Sequence, residues 1–478
     1  MKINKQKTRL FGIYLFFLFG LFMVISNAQA QQTTNATEEL INLLIQKQTI
    51  SQNDADSLRA ELAVKQQEVI KDKTFKMDLE LKPRTEYRNG FKQLRTASSS
   101  PAFFTNQRTR VSFNYQHDNK LIIQASLQDV RVWGRDDPRS VSGTVQVFEA
   151  YAEPFITPKF SIRIGRQKLV YDNQRLFAEN DWRVNAGSHD AVTLRYNSEQ
   201  FSTDLAVAFN QNSEQTFGTN YNSSAFTQSN YKTLIVNYLK YKLNDNWAFT
   251  SINAVDGYQD PNDAEKTFRR VTDGGRVEFE KGNLYLTFSG YYQSGKNSVG
   301  KALDAWYIQP EIKYTIPQQF VVRLGAEVFS GDNNSKKDSY DHNFVGLYGV
   351  AHRFNGNMEY FTQLPTNAGS AGLVNPYLFF VKNIGKKVEL RSDFHLFYSQ
   401  NNYVSNGATI NKYLGYENDL GVVYKPNSYT KVDVGFSYII ADQSLAIIQN
   451  KGGDNTLTPT WAYVSVTFKP QLFKANFK

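Results

Sequence analysis

The sequence predicts an all-β protein, a transmembrane antiparallel up-and-down β-barrel of about 18 strands, within a range of roughly 16 to 20. Three observations predict this fold. From Phe75 onward, segments of about ten residues alternate apolar and polar side chains, as tilted membrane-spanning strands do. Short turns alternate with longer polar loops, which is the layout of an outer-membrane barrel. Aromatic residues make up 14% of the chain and cluster at strand ends, where interfacial girdles form.

The composition excludes several other classes of protein. The 478 residues have a mean hydropathy of −0.49 and include no cysteine. These values exclude a bundle of transmembrane helices, disulfides and thiolate metal sites. The formal net charge is +9, but Lys2, Lys5, Lys7 and Arg9 precede the barrel, so the rest of the chain carries only a mild positive excess. We therefore predict no nucleic-acid partner.

Residues 1–30 have the pattern of a secretory signal peptide. Basic residues up to Arg9 precede an apolar run over residues 11–25, and the small-residue motif Ala28-Gln29-Ala30 follows. Cleavage is predicted before Gln31. The alternative is an uncleaved anchor helix, but the run is shorter than the roughly 20 apolar residues that a spanning helix needs. We therefore expect a protein exported to the bacterial outer membrane.

Residues 31–74 are predicted to form a short periplasmic helical arm, and residues 75–478 the barrel. Within the arm, Leu40, Leu43 and Leu44 have helical spacing. The arm could associate with other copies as a coiled coil, but its roughly two to three heptads are too few to require this.

The number of strands follows from the alternation. In KVDVGFSYII (431–440), for example, apolar residues occupy every second position from Val432 onward. Counting such segments gives about 20 strands. The least secure hairpin combines residues 358–364, which follow a predicted turn at 354–357, with residues 376–383, and removing it leaves about 18. The count must be even because both chain ends are expected in the periplasm. The last strand is predicted to end at Phe468.

The charged side chains of the strands are predicted to face the interior, because an arginine against lipid costs about 2–4 kcal/mol at the midplane. Two strands break the alternation and predict β-bulges. A bulge near Gln128 would turn Asp129 and Arg131 inward, and a bulge at Gly165 would turn Arg166 inward. We interpret these positions as the constriction. The predicted pore-lining residues are Arg84, Arg108, Arg110, Asp129, Arg131, Arg163, Arg166, Arg195, Arg276, Arg323 and Arg391.

Such a set of arginines suits the passage of a polyanion. The planar guanidinium stays charged and binds carboxylates with two hydrogen bonds. Interleaved acidic residues would keep each contact weak enough to release the solute, as throughput requires. The alternative interpretation is that these residues form salt bridges that only hold the wall together.

The stretch over residues 165–196 contains Gly165-Arg166-Gln167, Tyr171, Arg175-Leu176, Trp182, Asn185 and Asp190-Ala191-Val192. In these residues it resembles the alginate export family of outer-membrane barrels. Residues 107–113, 127–134 and 352–361 are also similar. The resemblance implies an 18-stranded monomeric barrel with an arginine-rich electropositive pore that passes an anionic uronate polymer or its oligomers. It adds Arg175 to the inward arginines, with Asp190 as a counter-charge. His189 and Arg183 depart from the family pattern.

No catalytic or metal-binding motif stands out in the sequence. The five histidines lack zinc-site spacing, and neither a nucleophile elbow nor a P-loop occurs. The acidic loops at 256–265 and 332–341 lack EF-hand spacing, so we interpret them as solvated surface rather than calcium sites. His395 and Asp393 share one face of a strand, which by itself makes no catalytic pair. We predict no enzyme activity, no cofactor and no metal.

The leading hypothesis is an outer-membrane channel for anionic oligo- or polysaccharide, such as alginate-like uronates, by passive diffusion or export. A general or phosphate-type anion porin, which could be trimeric, is the alternative. A surface adhesin or structural barrel with a plugged lumen is a third hypothesis. The expected partners are outer-membrane lipid, the anionic saccharide and the barrel assembly machinery, together with a periplasmic partner for the helical arm.

Overall fold

The computed structural model describes residues 73–135, 145–221, 231–317, 320–336 and 338–477. The predicted signal peptide and all but the last two residues of the predicted arm lie outside the described residues. Asp72–Lys478 form one compact unit.

This unit is a closed antiparallel barrel with 18 strand positions, as predicted. Each strand pairs with the next along the chain, and the last closes on the first. The strands are β1 Lys73–Asn89, β2 Ala102–His117, β3 Leu121–Val132, β4 Gln146–Thr157, β5 Phe160–Gln167, β6 His189–Asn197, β7 Phe201–Phe209, β8 Thr233–Lys242, β9 Trp247–Asp260, β10 Asp263–Lys281, β11 Leu284–Lys296, β12 Ala302–Ile316, β13 Phe320–Phe329, β14 Leu373–Ile384, β15 Val388–Tyr398, β16 Tyr413–Tyr424, β17 Thr430–Ala441, β18 Thr460–Phe468 and β19 Gln471–Phe477.

The last strand position is shared by β18 and β19. Phe468 at the end of β18 is opposite Leu81 of β1, and Phe477 at the end of β19 is opposite Lys73. A short break at Pro470, whose carbonyl accepts the Leu79 N–H, separates the two strands. The extension after Phe468 therefore continues the closing strand along the same edge of β1.

The raw count of 20 strands is wrong in the region between β13 and β14. Residues 344–353 and 358–364 form no strands, and residues 354–357 are not a turn between strands. Residues 376–383, the other half of the doubtful hairpin, do belong to β14. Most apolar residues of 344–353 and 358–364 are buried because these segments fold into the barrel, so their apolar positions do not mark one face of a sheet.

Two long connections fill the lumen. Inward segment A comprises residues 168–188 between β5 and β6, and inward segment B comprises residues 330–336 and 338–372 between β13 and β14. Their apolar side chains form much of the buried core, including Leu176 and Phe177 from segment A and Tyr360 and Phe361 from segment B. The core of this molecule therefore lies inside the barrel. The outer surface carries exposed apolar residues such as Ile164, Leu324 and Ile440.

The short helix α1, Gln443–Gln449, packs against this core through Leu445 and Ile448. The Asp442 side chain caps it by accepting the Ser444 N–H. A single 3₁₀ turn, Thr366–Ala368, lies in inward segment B. In the part of the chain that the structure describes, no helix is long and apolar enough to cross a membrane.

Candidate functional site

The pleat of the strands sorts side chains into an inner and an outer face. On β15, Arg391, Asp393 and His395 point inward, whereas Leu390 and Leu396 lie on the exposed outer surface. The strand registers place these predicted residues on the inner face: Arg84, Arg108, Arg110, Arg163, Arg195, Arg276, Arg323 and Arg391.

Asp129 and Arg131 face outward, which corrects the prediction for both residues. The β2–β3 register runs without a shift, so Asp129 and Arg131 stay on the same face as the exposed Leu127. The bulge lies on the neighbouring strand instead, at Phe148 of β4, where the β3–β4 register shifts. A bulge re-aims the side chains of the strand that contains it. It therefore turns Phe148 inward, with its ring 3.6 Å from the Arg110 guanidinium.

Arg166 and Asp190 also face outward, which corrects the second bulge prediction. The β5–β6 register is continuous through Gly165, so Arg166 remains on the face of Ile164. Arg166 forms two hydrogen bonds with Asp190, at 2.9 and 2.7 Å, on the outer surface. Glycine is needed at position 165 for a different reason. Its φ is +123°, and a Cβ there would lie 2.2 Å from the Ala150 carbonyl oxygen. The predicted constriction is therefore not at these bulges.

Several inward arginines are buried and hold the inward segments to the wall. Arg108 has no exposed side-chain surface and lies 2.6 Å from both Glu80 of β1 and Asp181 of inward segment A. Arg84 donates to the Trp182 carbonyl oxygen at 2.9 Å. Fully engaged buried guanidiniums of this kind have no surface to offer a passing solute.

Arg175 joins both inward segments to the wall. It lies on inward segment A rather than on a strand. Its Nε lies 2.8 Å from Glu327 of β13, and its two terminal nitrogens donate to Asn355 and to the Val350 carbonyl of inward segment B, at 2.8 and 2.6 Å. Sequence reasoning placed Arg175 among the inward arginines but could not identify these partners, which are distant along the chain.

Further contacts fix the two segments in place. Asp172 of inward segment A accepts hydrogen bonds from Tyr238, Thr250 and Tyr291 of the wall, at 2.9 to 3.3 Å. In inward segment B, the Met358 N–H donates to Glu417 of β16 at 2.7 Å. The interior is thus narrowed by segments that are bonded to opposite parts of the wall.

Four of the predicted pore-lining arginines keep about a fifth or more of their side chain accessible to water. Their exposed side-chain fractions are 19% for Arg163, 34% for Arg195, 33% for Arg323 and 39% for Arg391. All four lie within a few residues of the short turns, in the half of the lumen that the sequence assigns to the periplasmic side. They are the predicted residues that a solute in the lumen could contact.

Each exposed arginine has an acidic partner. Arg163 and Arg195 share Glu153, at 2.7 and 3.0 Å. Arg323 forms a 2.7 Å pair with Glu311. Since only part of each guanidinium is used in these pairs, the remaining N–H groups stay available to an anion.

Arg353 is a functional candidate that sequence reasoning missed. It lies on inward segment B, is open to the lumen, and donates to the Asn173 carbonyl oxygen at 3.0 Å. Among the described residues, no carboxylate lies within salt-bridge distance of it. Partial loss of solvation inside the barrel, together with the nearby guanidiniums of Arg323 and Arg391, lowers the pKa of Arg353 to about 10. Arg353 therefore remains charged at neutral pH. No periodic pattern could have identified it, because it lies outside the strands.

Among the residues that the structure describes, no group of three or more His, Cys, Asp or Glu side chains could hold a metal ion. Asp332 and Asp341, in the loop that the sequence analysis considered for calcium, accept hydrogen bonds from His342, Asn343 and Asn297. His395 of β15 lies within hydrogen-bond distance of the Asn375 side chain of β14, at 3.0 Å, and this contact joins the two strands.

The barrel is similar to solved outer-membrane porins. OccAB1 of Acinetobacter baumannii matches with a TM-score of 0.58 and 13% identity, over 84% of this chain and 97% of that one. OpdO of Pseudomonas aeruginosa matches with 0.57 and 13%, over 85% and 100%. OpdK of Pseudomonas aeruginosa, in a structure with vanillate, matches with 0.53 and 11%, over 83% and 98%. At these identities the likeness establishes the fold.

The family assignment comes from the sequence. A search among curated proteins finds no match. The sequence model described as alginate export matches residues 73–439, from the first residue of β1 into β17. Because that match covers most of the chain and the fold is that of outer-membrane porins, the chain belongs to the alginate export family and forms an outer-membrane β-barrel channel.

Proposed function

We propose that the channel passes anionic oligo- or polysaccharide, such as alginate-like uronates, by passive diffusion or export. The observation that carries this proposal is the group of water-accessible inward arginines, Arg163, Arg195, Arg323 and Arg391, together with Arg353. A uronate polymer presents one carboxylate on each sugar, and guanidiniums bind carboxylates through paired hydrogen bonds.

The acidic partners suit transport rather than tight binding. An arginine already paired with a carboxylate offers a second anion only some of its donors, so the contact is weak. A channel needs sites that attract the solute yet release it. Arg353, which has no such partner among the described residues, would be the strongest single contact along this path.

The remaining expectations belong to the same proposal. Export would use a signal peptide at residues 1–30, and insertion would use the barrel assembly machinery. The arm at residues 31–74 would meet a periplasmic partner. Outer-membrane lipid would surround the barrel.

The direct test is the reversal potential of the purified channel in a planar bilayer under a salt gradient. We expect anion selectivity, and a decrease in current when oligouronate is added. Arg353→Gln and Arg391→Gln should each lower the selectivity. Arg131→Gln is the matched control, because that arginine lies on the outer surface and should leave selectivity unchanged. Cation selectivity of the unmodified channel, or equal effects of all three substitutions, would refute the proposal.

A second candidate is an anion porin for small solutes, of the general or phosphate type. The filling of the lumen by the two inward segments favours it, because a narrowed path suits small anions better than a polymer. The structure of OpdK with vanillate, a small carboxylate, is in line with this. Current block by uronates of increasing length separates the candidates: a polymer channel is blocked best by longer chains, and a small-anion porin by none. A plugged structural barrel would show no conductance.

A further inference from the structure

Two carboxylates lie side by side inside the barrel without a lysine or arginine to neutralise them. Glu417 and Asp419 occupy successive inward positions of β16 and are 0% and 3% exposed. We call them the carboxylate pair. Among the described residues, only the ring of His395 reaches the pair within salt-bridge distance, at 3.8 Å from Asp419, and an imidazole is charged only when it is protonated. Burying two unpaired charges together is strongly unfavourable, so the pair needs another way to lose charge.

Three buried oxygens at this place have no hydrogen-bond partner among the described residues. They are Glu417 Oε2, Asp419 Oδ1 and the hydroxyl of Ser437, which is completely buried on β17 and directly opposite Asp419. The two carboxylates lie within hydrogen-bonding reach of each other. Ionised carboxylates only accept hydrogen bonds, so a bond between them requires a proton. One proton between Oε2 and Oδ1 would satisfy both oxygens and remove one charge.

The other titratable groups around the carboxylate pair supply no free positive charge. On β15, Asp393 adds a third carboxylate and is bound to Arg391, and His395 is 2% exposed. Tyr360 of inward segment B and Tyr463 of β18 also lie nearby, and a phenol is neutral at physiological pH. These surroundings favour a pair that carries one negative charge over a pair that carries two.

The carboxylate pair supports residues 356–358 of inward segment B. The Asn357 N–H donates to Asp419 Oδ2 at 3.1 Å, and the Met358 N–H donates to Glu417 Oε1 at 2.7 Å. Gly356 has a φ of +84°, and a Cβ there would lie 2.4 Å from Glu417 Oε1. The backbone of segment B therefore rests directly on both carboxylates, and a change in their separation displaces it.

We propose that Glu417 and Asp419 share one proton and that this proton holds inward segment B in place. When the proton passes to solvent, two adjacent negative charges remain in the interior, where they repel each other and draw in water. The carboxylates then separate, and residues 356–358 lose their support. Segment B narrows the interior, so its displacement widens the path. This inference requires only that the barrel conducts, and it does not depend on which solute passes.

Single-channel recording of the full-length channel over a pH series tests the proposal. Buried carboxyl groups can keep a proton up to about pH 8–9, so the series extends from about pH 6 to about pH 10. We expect the ratio of open to closed time to rise with pH, by up to about tenfold per pH unit, because release of one proton is linked to the opening.

Two variants separate the carboxylate pair from the other groups that titrate in this range. Glu417→Gln keeps an acceptor for the Met358 N–H and provides an amide donor for Asp419, so it imitates the protonated pair. Its ratio of open to closed time should stay low at every pH. The matched control is Glu389→Gln, which removes a carboxylate from the neighbouring strand β15 and should keep the full pH response.

The infrared carbonyl band of protonated carboxyl groups provides a second measurement, which needs no variant to establish the starting state. A component of this band should be present in the unmodified channel at neutral pH and disappear over the pH range in which open time rises. Glu417→Gln and Asp419→Asn should each remove it. Absence of the band at neutral pH overturns the proposal, even if both variants fail to fold.

Two further results would also overturn it. One is a pH response of Glu417→Gln equal to that of the unmodified channel, since other groups would then control the opening. The other is a response to added calcium at constant pH that Glu417→Gln abolishes, since a cation rather than a proton would then neutralise the pair.

Discussion

Replacing the buried Arg175 tests whether inward segments A and B are locked to the wall. Arg175→Met keeps most of the aliphatic volume and removes the guanidinium. The change eliminates the pair with Glu327 and the hydrogen bonds to Asn355 and Val350. The wall itself keeps its backbone hydrogen bonds, so the loss is confined to the interior.

The expected magnitude follows from burial. The Glu327 side chain has no exposed surface, so Arg175→Met leaves a buried carboxylate without its cation. Removing one partner of such a pair costs about 3–5 kcal/mol. We expect this cost to appear as easier opening of inward segments A and B, with the barrel still closed.

Single-channel recording measures that opening directly. We expect Arg175→Met to raise the mean conductance and the open-channel noise, and to lower the free energy of unfolding by about 3–5 kcal/mol in a denaturant titration. The control variant, Arg175→Met with Glu327→Gln, removes both charges but keeps an acceptor for the buried Tyr307 hydroxyl, and it should recover much of the stability, because no unpaired charge is then buried.

The reasoning is refuted if Arg175→Met leaves conductance and noise unchanged and alters the free energy of unfolding by less than about 0.5 kcal/mol. It is also refuted if the double variant is less stable than the single one, since that would show that the unpaired carboxylate is not the source of the cost.

Three further predictions concern single residues. Gly165→Ala should lower the free energy of unfolding by at least about 1–3 kcal/mol, because φ is +123° and the new Cβ would meet the Ala150 carbonyl. Asp172→Ala should release part of inward segment A and increase current fluctuations, at a cost of about 1–3 kcal/mol. The hydrogen bond to Asp338 raises the pKa of His342 above its ordinary value of 6.5. The contact between the His342 and Asp338 side chains therefore stabilises the backbone around residue 342 below about pH 6.5, and it weakens as the pH rises through the raised pKa. Hydrogen exchange near residue 342, corrected for intrinsic rates, should increase over that range.

Each of these predictions has a contradicting outcome. If Gly165→Ala leaves the free energy of unfolding unchanged, β4 and β5 can move apart to accept the new Cβ without loss of stability. Asp172→Ala with an unchanged current trace would show that segment A is held elsewhere. An exchange profile that is the same in His342→Ala would show that this histidine does not hold the loop.

The inward arginines fall into two groups that differ in burial. Arg108 and Arg175 are buried and are held by acidic, carbonyl or amide partners in the interior. Arg195, Arg323 and Arg391 keep about a third of their side chains accessible. Some members of the set are therefore structural salt bridges, and contact between the accessible members and a solute stays a prediction.

The amino-acid sequence by itself determined the barrel, because strand length, alternation and turn spacing are local properties that a bilayer imposes on every strand. It also determined the inner face of residues such as Arg163 and Arg391, since each lies within an unbroken alternation. Tertiary structure alone decided the rest. Whether a break in the pattern is a bulge, and on which strand, depends on the register with the neighbour, which is why Arg131 and Arg166 face outward. The alternation at residues 358–364 of inward segment B suggested a strand, but the position of this segment depends on contacts with wall residues far along the chain, such as Glu327 and Glu417.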